Sequence, residues 1–234
     1  MMNEKDDTKI QFIQFHQNYS YEDFIMGYKP DGNGFKLEEG IFYTFCNKAK
    51  EDREHQYFFI IDEINRGNLS KIFGELLMAI ENNYRDEEII LAYNKQKFTV
   101  PSNVYIIGMM NTADRSLAMI DYALRRRFSF IEMEPAFDND TFIKYSQQFG
   151  NTYHNVIREI KLLNEKIKED SSLGRGFTIG HSYFMPKNNE VSKEWLGRVI
   201  KYDILPTLEE YWFDDLEQVN EWKNRFLKVL DYGE

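Results

Sequence analysis

The chain has 234 residues, with 42% hydrophobic and 29% charged residues; this is a globular balance and enough length for one large domain or two small ones. A net charge of −10 argues against a broad electrostatic grip on nucleic acid. Cys46 is the only cysteine, no stretch approaches the roughly 18–20 apolar residues of a membrane span, and residues 1–9 hold no signal-peptide core. Together these features predict a soluble cytoplasmic protein without membrane attachment.

Residues 10–15 alternate apolar and polar side chains (Ile10, Phe12 and Phe15 around Gln11 and Gln14), the pattern of a short strand. Residues 18–40, rich in Tyr, Gly, Asp and Pro, read as loop or turn, and residues 38–50 as a helix with Cys46 buried among aromatics. Tyr57 to Ile61 is a continuous apolar run ending abruptly in Asp62-Glu63, as expected for a strand covered on both faces in a parallel sheet. Leu69, Ile72, Phe73, Leu76, Leu77 and Ile80 recur at helical spacing. Residues 88–100, interrupted at Asn94-Lys95, read as a β-hairpin, and residues 103–110 as a second buried strand running into Asn111-Thr112. Leu117, Ile120 and Leu124 predict a helix, and residues 129–133 a last strand closed by Pro135. Beyond Asp138 the pattern turns helical (Val156, Ile157, Ile160, Leu163 and Ile167, then the segments after Ser192 and Pro206), with a Gly-rich loop over 174–180. The outline is an α/β unit over 1–136 followed by a mostly helical unit over 137–234.

Three elements carry chemistry. A buried strand that delivers two carboxylates at its C-terminal tip suits nucleotide hydrolysis. Asp62 would hold a hydrated Mg²⁺, and Glu63 would orient or deprotonate the attacking water. The plainer alternative is a strand that simply ends on charged residues. Asn111, at the tip of the other buried strand, could hold that water through its amide, or could equally be a turn-forming Asn. Arg125-Arg126-Arg127 closes a predicted helix, where cations are favoured by the helix dipole anyway. The same run also suits an arginine finger reaching a neighbouring subunit's nucleotide.

The run Met110-Asn111-Thr112-Ala113-Asp114-Arg115-Ser116-Leu117-Ala118 resembles the signature of the McrB family, the NTPase subunits of modification-dependent restriction systems. Asp62-Glu63-Ile64-Asn65-Arg66, Asp121 to Phe128, the Phe15-His16 to Phe24 region and Gly180-His181-Ser182-Tyr183-Phe184 agree with it in order and spacing. By position the resemblance implies that Asp62 and Glu63 are the Walker B acids and Asn111 is sensor 1. Arg126 and Arg127 fall in the finger region. Asp114 and Arg115 fall in a loop tied to stimulated hydrolysis. Arg66 would face the neighbouring subunit, and His181 lies in a lid-side motif where a packed histidine is at least as expected as a nucleotide contact. The resemblance further implies an α/β AAA+ P-loop-type three-layer core with an inserted β-hairpin and a helical lid, Mg²⁺ with GTP or ATP as cofactors, a hexameric ring, an McrC-like nuclease partner, and DNA contact through other domains only.

One departure stands out. Nothing in the 234 residues matches G-x-x-x-x-G-K-[ST], the loop whose backbone amides and Lys cradle phosphates; the glycines at 27–34 and 174–180 read as loops. The core is therefore expected to be incomplete, lacking a central strand between those at 103–110 and 129–133, and the chain alone is expected not to bind or hydrolyse nucleotide. A sheet with that gap must re-pair, recruit a strand or remain marginally stable. The alternative function is a non-catalytic, degenerate AAA+ assembly or regulatory subunit; a DNA-recognition module is disfavoured by the acidity.

Overall fold

The structure is a computed structural model and describes residues 7–111, 113, 122–188 and 190–231. It divides into two compact units, Met1–Phe130 and Ile131–Glu234.

In the first unit, β1 (Ile10–Gln14) leads through α1 (Tyr21–Phe24) to an antiparallel ribbon of β2 (Met26–Asp31) and β3 (Gly34–Glu39). The composition of 18–40 predicted loop; the ribbon forms because Asp31 to Gly34 makes a tight turn between two short alternating runs. Helix α2 (Ile41–Glu51) then precedes β4 (Tyr57–Asp62). The single helix predicted over 69–80 is two, α3 (Leu69–Phe73) and α4 (Leu76–Ala79). The break is Gly74, whose φ of +52° is strained for any L side chain and whose missing Cβ would sit 3.1 Å from the Tyr21 ring. The predicted hairpin is confined to β5 (Ile89–Ile90) and β6 (Lys97–Phe98), which pair antiparallel. Strand β7 (Val104–Gly108) and the short helix α5 (Tyr122–Arg125) follow.

Strands β1, β4 and β7 form one parallel sheet in that order, with Ile10 opposite Phe58 and Phe58 opposite Tyr105. Alternation along β4 sends Tyr57, Phe59 and Ile61 to one face, where α2 and α3 close over them. Phe42 lies 4.9 Å from Phe59, and Phe24 sits between Phe42 at 4.8 Å and Phe73 at 4.9 Å. All four phenylalanines are fully buried, each contributing about 1.5–3 kcal/mol by removal from water. On the opposite face Ile10, Phe12, Tyr105 and Ile107 stay exposed. Among the described residues β7 has β4 as its one neighbouring strand.

The strand predicted over 129–133 does not form. Strand geometry requires a paired neighbour, and no ladder forms here; Ile131 and Met133 are 87% and 91% exposed. The predicted helix from Leu117 through Ile120 lies outside the described residues except for its end in α5.

The second unit contains α6 (Asp140–Ser146), α7 (Asn151–Glu169), α8 (Lys193–Val199), α9 (Leu205–Tyr211) and α10 (Leu216–Asp231), with a π-helical turn, Ile200–Ile204, joining α8 to α9. Helix α7 buries Tyr153, Val156, Ile157, Ile160, Leu163, Asn164 and Ile167 on one stripe, and α10 answers with Val219, Trp222, Phe226 and Leu230. Buried Asn164 holds the 174–180 loop onto α7: its Nδ2 donates to the Ile179 carbonyl (2.9 Å) and its Oδ1 accepts from the Ile179 N–H (2.7 Å). No described helix is long and apolar enough to cross a membrane.

Candidate functional site

In open parallel sheets, ligands meet the protein at the carboxyl ends of the strands. The sequence places Asp62-Glu63 and Asn111 at such ends, and the sheet brings those ends side by side. The β4–β7 ladder continues past the strands: the Met109 N–H donates to the Ile61 carbonyl (2.8 Å) and the Ile64 N–H to the Met109 carbonyl (2.9 Å). This staples the Asp62-Glu63 tip next to the Asn111 tip. Gly108 permits the crossing, since a Cβ there would meet Ile64 Cδ1 at 2.6 Å.

Asp62 is half-buried and held from two sides. Its Oδ1 accepts from the Glu63 N–H (3.0 Å), and its Oδ2 from Gln14 Nε2 (3.4 Å) on the register-matched end of β1. Gln14 is a residue that sequence reasoning missed; it is 48 residues away, and only strand pairing joins them.

Glu63 adopts the left-handed conformation, φ 50° and ψ 43°, which non-glycine residues seldom occupy without surrounding structure to enforce it. The conformation turns the chain sharply into a 3-10 turn, Ile64–Arg66, closed by the Arg66 N–H donating to the Glu63 carbonyl (2.9 Å). Residues three apart eclipse in such a turn. Arg66 accordingly folds back on Glu63, with Nε 3.0 Å from Oε2 and Nη2 donating to Oε1 at 3.5 Å. Glu63 Oε2 is buried and receives no hydrogen bond, so the Nε contact is one of charge rather than of a well-aimed N–H.

Asn111 is exposed, and its Oδ1 accepts from the Ala113 N–H (3.0 Å), so its carbonyl oxygen shapes a local turn. Asp114 and Arg115 lie outside the described residues. The three arginines differ. Arg125 lies over the Phe130 ring at 5.6 Å, and Arg126 is exposed. Arg127 is 11% exposed and its Nε sits 2.7 Å from Glu81 Oε1, tying α5 to the segment after α4. In this conformation Arg127 braces its own unit, while Arg125 and Arg126 are exposed.

In the second unit His181 is packed. Its Nδ1 accepts from the Ala136 N–H (3.1 Å), and its ring meets Phe142 and Phe137 edge-on at 5.8 and 6.2 Å. Cys46 is fully buried, and burial pushes its thiol pKa up, which removes it as a nucleophile. Among the described residues no group of three or more His, Cys, Asp or Glu gathers to hold a bare metal ion. Asp62, a single oriented carboxylate of hard oxygen donors, fits an ion such as Mg²⁺ that keeps most of its water.

Residues 2–128 match the family described as the AAA domain of the dynein-related subfamily, and residues 155–220 match the McrB alpha-helical lid domain. The chain is similar to the EcoKMcrB subunit of the Type IV methyl-directed restriction enzyme of Escherichia coli K12, 49% identical over 236 residues, covering 96% of this chain and 51% of that protein. It is also similar to the YdiS component of the Type II restriction enzyme BsuMI of Bacillus subtilis 168, 30% identical over 246 residues, covering 85% of this chain and 68% of that protein. The chain thus spans about half the length of the E. coli relative. A putative ATPase from Cytophaga hutchinsonii superposes over 68% of this chain and 52% of its own at 12% identity, with a TM-score of 0.36, too loosely to bear on the site.

Proposed function

The chain belongs to the AAA family, dynein-related subfamily, with an McrB-type helical lid, and on that premise we propose that it is the hydrolytic part of a nucleotide-driven motor subunit in a cytoplasmic restriction system. The observation that carries this reading is the stapling of two strand tips, one bearing Asp62-Glu63 and the other Asn111, on the carboxyl edge of a parallel sheet.

Asp62, oriented by Gln14 and the Glu63 N–H, would hold the hydrated Mg²⁺. GTP or ATP would supply the transferable γ-phosphoryl group, and the Mg²⁺ would neutralise charge on its phosphates. Glu63 positions the attacking water and accepts its proton, and Asn111 Nδ2 donates to that water or to the phosphate. Arg126 acts on the nucleotide of a neighbouring subunit in a ring, proposed as hexameric; Arg127 supports Arg126 through its pair with Glu81. Asp114 and Arg115 belong to the loop through which an McrC-like nuclease subunit stimulates turnover, and DNA is read by other domains. Phosphate capture falls to another segment, since no G-x-x-x-x-G-K-[ST] run occurs in these 234 residues. Among the described residues β7 pairs on one side, and that edge and the exposed Ile10, Phe12, Tyr105 and Ile107 face offer such a segment a place to pair and pack.

The test is Glu63→Gln in the complete protein carrying these residues. Nucleotide affinity stays within about twofold, while turnover falls by about 10²–10⁴, the usual contribution of a positioned base. Unchanged turnover overturns the assignment.

A further inference from the structure

Helices α7 and α10 of the second unit pack against each other, and a surface cavity of about 350 Å³ opens along their contact. Asn155, Arg158 and Glu159 line it from α7, and Arg225 and Lys228 from α10. Three cations thus meet one carboxylate, in a chain whose 39 acidic residues outnumber its 29 basic ones. That carboxylate is already matched: Glu159 Oε2 accepts from Arg225 Nε (2.9 Å) and lies 2.8 Å from its Nη2. The Arg225 guanidinium also stacks on the buried Trp222 ring, 4.2 Å from its centroid, which fixes it in place and leaves Nη1 outside the pair with Glu159. Among the described residues neither Arg158 nor Lys228 has a carboxylate partner, and both are exposed. Lys228 lies in the last turn of α10, where the helix dipole alone favours a cation; Arg158, in the middle of α7, has no such reason.

We propose that this α7–α10 cavity is a binding site for a phosphate oxyanion, free or at the end of a small ester. Arg225 is the preorganised donor, Arg158 and Lys228 supply charge from the two helices, and the Asn155 amide adds an uncharged donor. Guanidinium forks match the oxygens of a phosphate, and the cavity has the volume of a small-ligand site. Glu159 does not oppose the ligand, because Arg225 neutralises it. The acidity of the chain as a whole disfavours a nucleic-acid strand as the source of the phosphate. The site lies wholly within the second unit and is independent of the hydrolytic reading of Asp62, Glu63 and Asn111.

The experiment titrates the chain with inorganic phosphate and with glycerol 3-phosphate at constant ionic strength, sodium chloride making up the balance. Tryptophan emission is the readout, because Trp222 lies under the Arg225 guanidinium. A saturable change is expected. Arg158→Gln combined with Lys228→Gln should raise the half-saturating concentration at least about tenfold, the scale of losing one charge-assisted hydrogen bond. Lys144→Gln combined with Lys193→Gln removes the same charge from exposed positions outside the cavity and should leave it within about twofold. Thermal melts of both double variants without ligand separate loss of the site from loss of the fold. Tighter binding of the ester than of phosphate assigns the site to an ester, and equal binding assigns it to the free ion; both uphold the site. No saturation beyond the chloride control overturns it, and so does equal weakening by the two double variants, which reduces the effect to diffuse charge. Saturation by a single-stranded oligonucleotide and by neither small probe overturns it in favour of nucleic acid.

Discussion

Replacing Asn164 by Ala removes both hydrogen bonds that hold the 174–180 loop to α7. Asn164 is 4% exposed and Ile179 is 3% exposed, so the Ile179 N–H and carbonyl lose their partners where water is excluded. Each of the two buried groups left unsatisfied costs about 1–3 kcal/mol, and the truncation leaves a small void, giving a loss of about 2–6 kcal/mol. Asn164→Leu fills the void and leaves the polar loss, so most of the destabilisation should persist. The three tryptophans, Trp195, Trp212 and Trp222, all lie in the second unit, so their fluorescence in a urea titration reports that unit alone. With a urea slope of about 2 kcal/mol per molar, the midpoint should fall by about 1–3 M. A midpoint that moves by less than about 0.3 M refutes the assignment of Asn164 as the clamp on this loop.

Two further outcomes test the division of labour among charged residues. Arg127→Ala should destabilise the first unit by about 1–3 kcal/mol by leaving Glu81 half-buried without its cation, while Arg126→Ala should leave the far-UV circular dichroism melt unchanged; equal effects would refute the distinct placement of the two arginines. Asp170 accepts from the Ser172 N–H and hydroxyl at 2.7 and 2.6 Å and from Trp212 Nε1 at 2.8 Å, and these donors hold its pKa at about 2. A folded pKa below the unfolded value contributes stability that is present above about pH 4 and is lost as pH falls towards 2. Tryptophan-monitored stability of Asp170→Asn should therefore depend less on pH between 4 and 2 than the parent; identical slopes would refute the assignment.

The pair of strand tips on which the proposed function rests was legible because each half is local. Continuous apolar runs ending in Asp62-Glu63 and in Asn111 announce strands with polar tips, and a parallel sheet must place such tips on one edge, but the burial expected for 103–110 fails, since Tyr105, Ile107, Met109 and Met110 are exposed. Helices α7 and α10 were legible for the same reason, since apolar residues recur at the helical period. Where local composition and tertiary context disagree, the reading failed. Tyr, Gly, Asp and Pro over 18–40 look like loop, but two short runs flank a tight turn there and pair as a ribbon. Residues 129–133 have strand composition, but a strand needs a neighbour and finds none.

Periodicity and run length by themselves determined the longer helices, the β4 run and the acids at its tip, because burial imprints a local pattern on the chain. Tertiary structure decided which side chains those acids meet. Gln14 reaches Asp62 through strand pairing across 48 residues, Glu81 claims Arg127, and the left-handed backbone at Glu63 sets Arg66 upon it. Such contacts leave no period in the sequence: they depend on register and on a dihedral that residue type alone does not specify.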